Sequence, residues 1–150
     1  MTAVLRRLVA AINNHDTTAV ASCYAPDAWV HQSEWPKRIA AAAWIEALPV
    51  LYESFPDLRV ELRHLAATER SVLAEVTLVG TNSGPLHLGS VDRLLLNTDA
   101  ERVPPTGRGL RMAGVVVLDI ADGLIAAERQ YWPSAEPLVQ LGLLPAAANL

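Results

Sequence analysis

Polar side chains suited to acid–base chemistry alternate with apolar ones near the C-terminal end of the chain, in residues 124–132. This alternation is typical of a strand with one buried face, and if Ile125 points to the core, Arg129 and Tyr131 point there too. A buried guanidinium needs a negative partner, and a phenol can donate a hydrogen bond to an oxyanion. The pattern therefore predicts that Arg129 and Tyr131 line a cavity and bind a substrate enolate or carboxylate there.

Glu128 lies on the other face of the same predicted strand, and it leaves two alternatives open. In the first, Arg129 forms a structural ion pair with Glu75 or Glu128. In the second, a bulge near Trp132 and Pro133 reverses the alternation, so that Glu128 enters the cavity. Burial would then raise the pKa of Glu128 and allow this side chain to shuttle a proton. Both faces of the strand therefore remain candidates for the cavity wall.

A histidine between two tryptophans is a further catalytic candidate. His31 stands between Trp29 and Trp35, within residues 28–32, which alternate like a short strand. A neutral imidazole in an apolar cavity can act as a base or donate a hydrogen bond to a substrate oxygen. The alternative is a half-buried histidine whose ring is satisfied by the backbone.

Candidate substrate contacts come from the aromatic residues and from a long stretch rich in Gly, Pro, Asn and Asp. Tryptophans can clamp a flat ligand by stacking, although they fill a core equally well. Asn82 can hydrogen-bond a substrate carbonyl, or it can simply form a turn before Ser83. His87 is expected either in solvent or in a lid. The predicted substrate-binding set is Trp29, Trp35, Asn82, His87, Met112 and Trp132.

The residue pattern argues against metals and cofactors. The four histidines, at positions 15, 31, 64 and 87, have no metal-ligand spacing. Cys23 is the single cysteine, so it cannot form an internal disulfide, and no histidine at a suitable spacing makes it a nucleophile. No Gly-rich phosphate cradle is present. We therefore predict a protein that works without a metal ion or a nucleotide cofactor.

The composition is typical of one apolar globular domain. The chain has 150 residues, of which 51% are hydrophobic and 19% charged, and its formal net charge is -4. This length predicts a single domain spanning residues 1–150. Because no basic run interleaved with aromatics is present, nucleic acid is excluded as a partner. Neither a signal peptide nor an apolar run of about 20 residues is visible, so we predict a cytoplasmic protein with no membrane partner.

The elements that must position these residues begin with helices. Apolar residues recur at helical spacing through residues 4–12, and Asp16 is expected to cap a short helix over residues 17–24. A third helical pattern follows Pro36. Pro49 lies inside it and removes a backbone donor, so we expect the third helix to be kinked or divided.

Strand periodicity dominates the second half of the chain. Asp122-Gly123 supplies the positive φ angles of a tight turn and predicts a hairpin. Ser134 is expected to cap a final helix that ends at Gly142. Helices followed by mainly antiparallel strands give an α+β fold, in which a curved sheet packs over the helices and leaves a concave face. The segments with strand periodicity are residues 58–63, 72–79, 110–120 and 124–132.

Two apolar features point beyond the core of a single chain. Residues 113–118 are apolar on both faces of their predicted strand, and one of those faces must lie outside the core of the monomer. We therefore predict a homodimer. The long stretch of residues 80–109 carries three adjacent leucines at positions 94–96. Because exposed leucines forgo burial, we expect them to pack over the pocket mouth or the partner subunit.

Six short motifs follow one another along the chain: Tyr24-Ala25-Pro26-Asp27-Ala28, Phe55-Pro56-Asp57-Leu58, Gly80-Thr81-Asn82-Ser83-Gly84-Pro85, Pro105-Thr106-Gly107-Arg108, Asp122-Gly123-Leu124-Ile125 and Gln140-Leu141-Gly142. In this order they resemble the SnoaL-like polyketide cyclases of the NTF2-like superfamily, over nearly the whole chain. The resemblance implies a cone-shaped α+β barrel, a deep apolar pocket and often a dimer packed through the outer sheet. It implies no fixed reaction, since the superfamily includes cyclases, isomerases, epoxide hydrolases and binding domains.

The chain differs from these cyclases at two positions. They commonly carry an acid–base Asp just before the last helix, after an aromatic pair, and here Pro133 follows Tyr131 and Trp132. They also often have a His after a Gly-Thr pair, where this chain has Asn82. The resemblance therefore does not imply an aldol cyclisation with the usual base.

The sequence and the resemblance together favour a cofactor-independent cyclase or isomerase for an apolar polyketide-like or isoprenoid-like intermediate of natural-product biosynthesis. Acid–base or oxyanion assistance in a desolvated pocket would carry the reaction. Because Pro133 replaces the usual acid, we expect the substrate to bring most of the reactivity, as in epoxide opening or shape-steered ring closure. The alternative is a non-catalytic binding protein for a hydrophobic metabolite, and a module that only dimerises is the third hypothesis.

Overall fold

The computed structural model describes residues 1–146, in which five helices and eight strands are present. The helices are α1 (Thr2–Asn13), α2 (Thr17–Ala21), α3 (Ala41–Ser54), α4 (Ser90–Leu96) and α5 (Glu136–Gln140). The strands are β1 (Tyr24–Gln32), β2 (Ile39–Ala40), β3 (Arg59–Ala67), β4 (Ser71–Thr81), β5 (Leu86–His87), β6 (Arg102–Val103), β7 (Gly109–Ala121) and β8 (Leu124–Tyr131). None of the helices in this part of the chain has the length and apolarity that crossing a bilayer requires.

Six of the strands form one curved sheet in the order β2-β1-β8-β7-β4-β3. Neighbouring strands are antiparallel except for β1 and β8, which are parallel. The inner face of this sheet packs against α1 and α3, so the α+β class and the mainly antiparallel sheet are confirmed. Within residues 1–146 the sheet is open rather than closed into a barrel, with β2 and β3 at its edges.

Helix α1 packs on the sheet because its apolar residues recur at helical spacing. Its buried residues are Val4, Leu5, Leu8 and Ala11. Helix α2 begins after Asp16, whose carboxylate accepts a hydrogen bond from the backbone N–H of Ala19 at 2.9 Å. The predicted first helix and the predicted cap are both confirmed.

Two helices differ from the sequence prediction. Helix α3 runs through Pro49 without dividing, because Ile45 and Leu48 are buried in the core on one side of the proline and Leu51 packs on the other. This tertiary packing outweighs the lost backbone hydrogen bond. The final helix begins at Glu136 rather than directly after Ser134, whose hydroxyl donates to Glu34 instead of capping.

The hairpin between β7 and β8 is confirmed, with Asp122 and Gly123 both at positive φ. One register shift interrupts its pairing. Ile120 pairs with Ile125, but Asp119 pairs with Ala127, so Ala126 is an extra residue without a partner. A bulge of this kind reverses the alternation of side chains beyond it. It therefore decides which side chains of β8 face the helices.

The long stretch between β4 and β7 contains β5, α4 and β6 rather than a structureless loop. The first alternative for its three leucines is not observed, because none of them lines the apolar pocket of the same chain, and the second, packing on a partner subunit, stays a prediction. Leu94 is 79% exposed and Leu95 is 39% exposed, because they lie on the solvent side of the short helix α4. Leu96 packs against a second cluster of apolar residues around Phe55 and Leu110.

The face of the sheet that points away from the helices, called the outer face below, carries apolar side chains in neighbouring strands. On β7, Val115 and Val117 alternate with the buried Val116 and Leu118 and therefore point outward. Leu73 pairs with Val117 across the sheet and is 46% exposed. An apolar face of this kind is the surface on which the predicted homodimer depends.

We predict that a second copy of the chain covers this outer face. A lysine at the centre of the contact would bury an unpaired charge, so Val117→Lys should convert a dimer into a monomer. Sedimentation velocity at micromolar concentration measures the change. Val50→Lys, the same substitution at an exposed position of α3, is the matched control and should leave the mass unchanged. A wild-type protein that sediments as a monomer would contradict the prediction.

Candidate active site

A cavity of about 330 Å³ lies between the inner face of the sheet and the helices α1 and α3. This volume is at the small end of the range of ligand pockets, about 300–1,000 Å³. Aliphatic side chains form most of its wall, and polar groups are confined to a few positions. The aliphatic wall consists of Leu5, Leu8, Val9, Ile12, Leu48, Leu51, Leu58, Val60, Val76, Leu78 and Val116.

Glu128 is the most buried charged group of this cavity, with only 2% of its surface exposed. Both of its carboxylate oxygens accept hydrogen bonds. The hydroxyl of Tyr24 donates to one oxygen, and the amide nitrogen of Gln130 donates to the other at 2.6 Å. Burial raises the pKa of Glu128, although these two hydrogen bonds act in the opposite direction. Glu128 therefore holds a proton at a higher pH than a solvated glutamate does.

Tyr24 belongs to the same buried group, at the beginning of β1. Burial, followed by the neighbouring charge of Glu128, raises the pKa of Tyr24 well above its ordinary value. Tyr24 thus keeps its proton and remains a hydrogen-bond donor to Glu128. Its ring also packs at an angle against Trp44, with the ring centroids 6.0 Å apart.

The side-chain amide of Gln130 is oriented by two donors. Its carbonyl oxygen accepts hydrogen bonds from the amide of Gln32 and from the indole nitrogen of Trp132, both at 3.0 Å. Because the oxygen is engaged on that side, the nitrogen of Gln130 points to Glu128. Gln32 and Trp132 therefore set the direction of the hydrogen bond that Glu128 receives.

Trp132 can lie in this position because residue 114 has no side chain. A Cβ added to Gly114 would lie 2.1 Å from the indole ring of Trp132. Such a contact is impossible without moving the ring or the strand. Gly114 on β7 therefore belongs to the architecture of the cavity, although it contributes no polar group.

The sequence prediction that Arg129 and Tyr131 line the cavity is wrong. Arg129 is on the outer face, where its guanidinium donates two hydrogen bonds to Asp119, at 2.8 and 2.9 Å. Tyr131 is 48% exposed. The extra residue Ala126 is the physical reason, because it reverses the alternation assumed from Ile125.

Glu128 consequently enters the cavity, as one alternative anticipated, although the bulge lies at Ala126 and not near Trp132 and Pro133. The other alternative, a structural ion pair of Arg129, is also observed, but not with Glu75 or Glu128. The partner is Asp119, and hydrogen bonds from Arg129 lower the pKa of that carboxyl group.

His31 and its two neighbouring tryptophans do not line the cavity. His31 pairs with Arg129 in the sheet and shares its outer face, and a ring nitrogen lies 3.1 Å from the carbonyl oxygen of Trp35. The alternative of a half-buried histidine satisfied by the backbone is therefore the one observed. Trp29 lies under the guanidinium of Arg38, 5.0 Å from it, and Trp35 packs against the core.

Asn82 and His87 are also outside the cavity. Asn82 is fully buried, and its amide donates to the carbonyl oxygens of Ser54 and Gly84 at 3.1 and 2.9 Å. It is a structural residue, as the turn-forming alternative anticipated. A ring nitrogen of His87 lies 3.2 Å from a carboxylate oxygen of Glu53 on α3.

Of the predicted site residues, Glu128, Trp132 and Met112 line the cavity. Sequence reasoning missed Tyr24, Gln130 and Gln32. Gln130 had a usable signal, because it lies two residues from Glu128 and shares its face. Tyr24 and Gln32 reach the site because β1 pairs in parallel with β8. No local sequence pattern predicts that pairing. Within residues 1–146 no three His, Cys, Asp or Glu side chains are grouped so that they could hold a metal ion.

A family model described as the SnoaL-like domain matches residues 5–128 of the chain. No curated protein matches it significantly in sequence. Solved structures match over nearly the whole chain. AclR, a candidate hydroxylase from Streptomyces galilaeus, has a TM-score of 0.80 at 24% identity, covering 99% of this chain and 84% of AclR.

Two other structural matches differ in the activity that they are named for. IdmH, a candidate polyketide cyclase from Streptomyces antibioticus, has a TM-score of 0.74 at 23% identity, covering 93% of this chain and 96% of IdmH. An LEH-like epoxide hydrolase from M. tuberculosis has a TM-score of 0.65 at 15% identity, covering 92% of this chain and 86% of the hydrolase. At these identities the matches establish the fold, and the reaction must be argued from the site.

The close approach of Trp132 to Gly114 makes a first prediction for this site. Gly114→Ala should displace the indole and break its hydrogen bond to Gln130, at a cost of about 1–3 kcal/mol in the free energy of unfolding. Urea unfolding and tryptophan emission measure the two effects. Gly109→Ala on the same strand is the control, since its added Cβ would meet only a carbonyl oxygen at 4.0 Å. Equal stability of the two variants would contradict the close packing.

The raised pKa of Glu128 makes a second prediction, on stability. The folded protein holds this proton more tightly than the unfolded chain does, so binding of the proton stabilises the fold. This contribution to the free energy of unfolding is fully present below the pKa of the unfolded chain, about 4.3. It is lost as the pH rises through the raised pKa. Glu128→Gln removes the titration. The free energy of unfolding of this variant should therefore increase relative to the wild type as the pH rises above about 4.3. Urea unfolding across this range measures the difference, and a constant difference would contradict the prediction.

Proposed function

The chain belongs to the SnoaL-like domain family, and we propose that it is a cofactor-independent cyclase or isomerase for an apolar intermediate of the polyketide or isoprenoid type. One observation carries the proposal. Glu128 is buried in an aliphatic cavity, and two hydrogen-bond donors hold its carboxylate in one orientation. Burial of a carboxyl group with a raised pKa is typical of catalytic acids and bases.

Glu128 can serve as both the acid and the base of such a reaction. In its protonated form it transfers a proton to a carbonyl or epoxide oxygen of the substrate while the new ring bond forms. The resulting carboxylate then accepts the proton that the product releases, so the enzyme returns to its starting state. Tyr24 and Gln130 stabilise the carboxylate between the two steps because both donate to it.

The shape of the cavity supplies the other part of the proposed catalysis. An aliphatic wall holds the substrate in a folded conformation and excludes water, which brings the reacting atoms together. Pro133 also lines this cavity, at the position where the resemblance places an Asp. In this chain the carboxylate comes instead from Glu128, on β8 before Pro133. Arg129 and Tyr131 have no role in the proposal, because they lie on the outer face.

A non-catalytic binding protein for a hydrophobic metabolite is the second candidate. The observation that favours it is that both oxygens of Glu128 already accept hydrogen bonds inside the protein. A carboxyl group whose two oxygens both accept hydrogen bonds can hold β1 and β8 together without taking part in any reaction. The two functions differ in whether the bound molecule is converted.

We expect Glu128→Gln to lower kcat/KM by about 10²-fold or more, the usual contribution of a general acid or base. The glutamine keeps the volume of the side chain and a hydrogen-bonding oxygen, so the fold should survive. The measurement is turnover of a panel of polyketide, epoxide and enone substrates. Glu75→Gln, the same substitution at an exposed position of β4, is the control and should keep the wild-type rate.

The same panel separates the two candidate functions. Arg129→Met should also keep the wild-type rate, because its partner Asp119 lies outside the cavity. A normal rate in Glu128→Gln would remove Glu128 from the mechanism. Wild-type protein that binds members of the panel and converts none of them would establish the binding protein instead.

A further inference from the structure

The charged groups of the cavity are all acidic. Glu34, Asp92 and Glu128 line it, and within the described part of the chain no lysine, arginine or histidine does. Glu128 is buried, whereas Glu34 and Asp92 are partly exposed. The two partly exposed carboxylates therefore reach both the cavity and solvent, whereas Glu128 lies in the interior.

Among the described residues, the partners of these two carboxylates are neutral hydrogen-bond donors. One oxygen of Glu34 accepts a hydrogen bond from the hydroxyl of Ser134 at 2.9 Å. One oxygen of Asp92 accepts a hydrogen bond from the backbone N–H of Gly89 at 2.8 Å. Across residues 1–146 neither carboxylate takes part in an ion pair. Both donors are neutral, so neither hydrogen bond brings the charge of a basic side chain to these carboxylates.

The basic side chains of the surrounding strands are engaged elsewhere. Arg129 is paired with Asp119 on the outer face. Arg63 and Arg111 both contact Glu61, at 2.6 and 2.9 Å. The sheet thus directs these three cations away from the cavity, whereas Glu128 on β8 points into it.

We propose that the cavity excludes anions through Glu34 and Asp92 and that its substrate is uncharged, such as a ketone, an ester, a lactone or an alcohol. Conversion of the bound molecule rests on the function proposed above, whereas the exclusion of anions does not. An anion entering this cavity loses its hydration and meets fixed negative charges in an apolar surrounding, where Coulomb repulsion is stronger than in water. A neutral carbonyl oxygen meets no such repulsion and can accept the proton of Glu128.

Two probes with one ring system test the proposal by calorimetric titration at about pH 8, where a free aromatic carboxylic acid is ionised. They are 2-acetonaphthone, a neutral ketone, and 2-naphthoate, an anion of similar size. We expect the ketone to bind wild-type protein at least about tenfold more tightly than the carboxylate. Glu34→Gln combined with Asp92→Asn should reduce this ratio to about threefold or less by tightening the binding of 2-naphthoate.

A second double variant controls for net charge. Asp27→Asn combined with Glu75→Gln also removes two carboxylates, but from exposed positions of β1 and β4, and it should leave the ratio unchanged. Wild-type protein that binds 2-naphthoate as tightly as the ketone would overturn the proposal, and so would failure of the ketone to bind. A ratio that persists when Glu34 and Asp92 are both neutral would overturn the assignment to these residues.

These outcomes are independent of catalysis, because the two probes are scored by binding alone. Loss of the proposed cyclase or isomerase activity, seen as binding without conversion in the substrate panel, leaves the selectivity for neutral ligands measurable. Conversely, a preference for 2-naphthoate would refute anion exclusion while the dependence of turnover on Glu128 stands.

Discussion

The pairing of β7 with β8 determines which side chains of β8 face the cavity. A single residue without a partner on β7 sets the register of this pairing. Ala126 is inserted between the pairs that Ile125 and Ala127 form with β7. Beyond it, even-numbered residues of β8 face the helices and odd-numbered residues face outward. The position of Glu128 in the cavity, the outward ion pair of Arg129 and the contact of Trp132 with Gly114 all follow from this one shift. Removing the extra residue would exchange the two faces of the strand.

Burying Glu128 is unfavourable by itself, and the structure offsets this cost with donors from two strands. Tyr24 comes from β1, and Gln130 comes from β8. Because β1 and β8 are parallel neighbours, residues 104 positions apart in sequence meet at one carboxylate. A carboxyl group with a raised pKa lowers the stability of the protein at neutral pH. Functional sites commonly retain groups that lower the stability of the protein in this way.

Local patterns predicted the class of the fold and several of its parts. Helical spacing located α1, and the Asp122-Gly123 pair located the last hairpin. Met112 and Trp132, predicted as substrate contacts, both line the cavity. The face of β8 was not predictable, because a bulge appears only in the pairing of two strands and leaves the residue types of one strand unchanged. The course of α3 through Pro49 was missed for a similar reason, since packing against other elements outweighs local preference.

Asn82 has a consequence for how this fold can vary. Its side chain accepts hydrogen bonds from Thr106, at 2.8 and 3.0 Å, and its backbone N–H donates to the carbonyl oxygen of Arg108 at 2.9 Å. One residue thus clasps both ends of the excursion that contains β5, α4 and β6. Because its ends are held together, this segment can gain or lose residues without altering the register of β4 and β7. The entropic cost of closing a loop rises only slowly with the number of residues in it. The sheet can therefore stay the same while the segment between β4 and β7 changes, and Asp92 belongs to that variable segment.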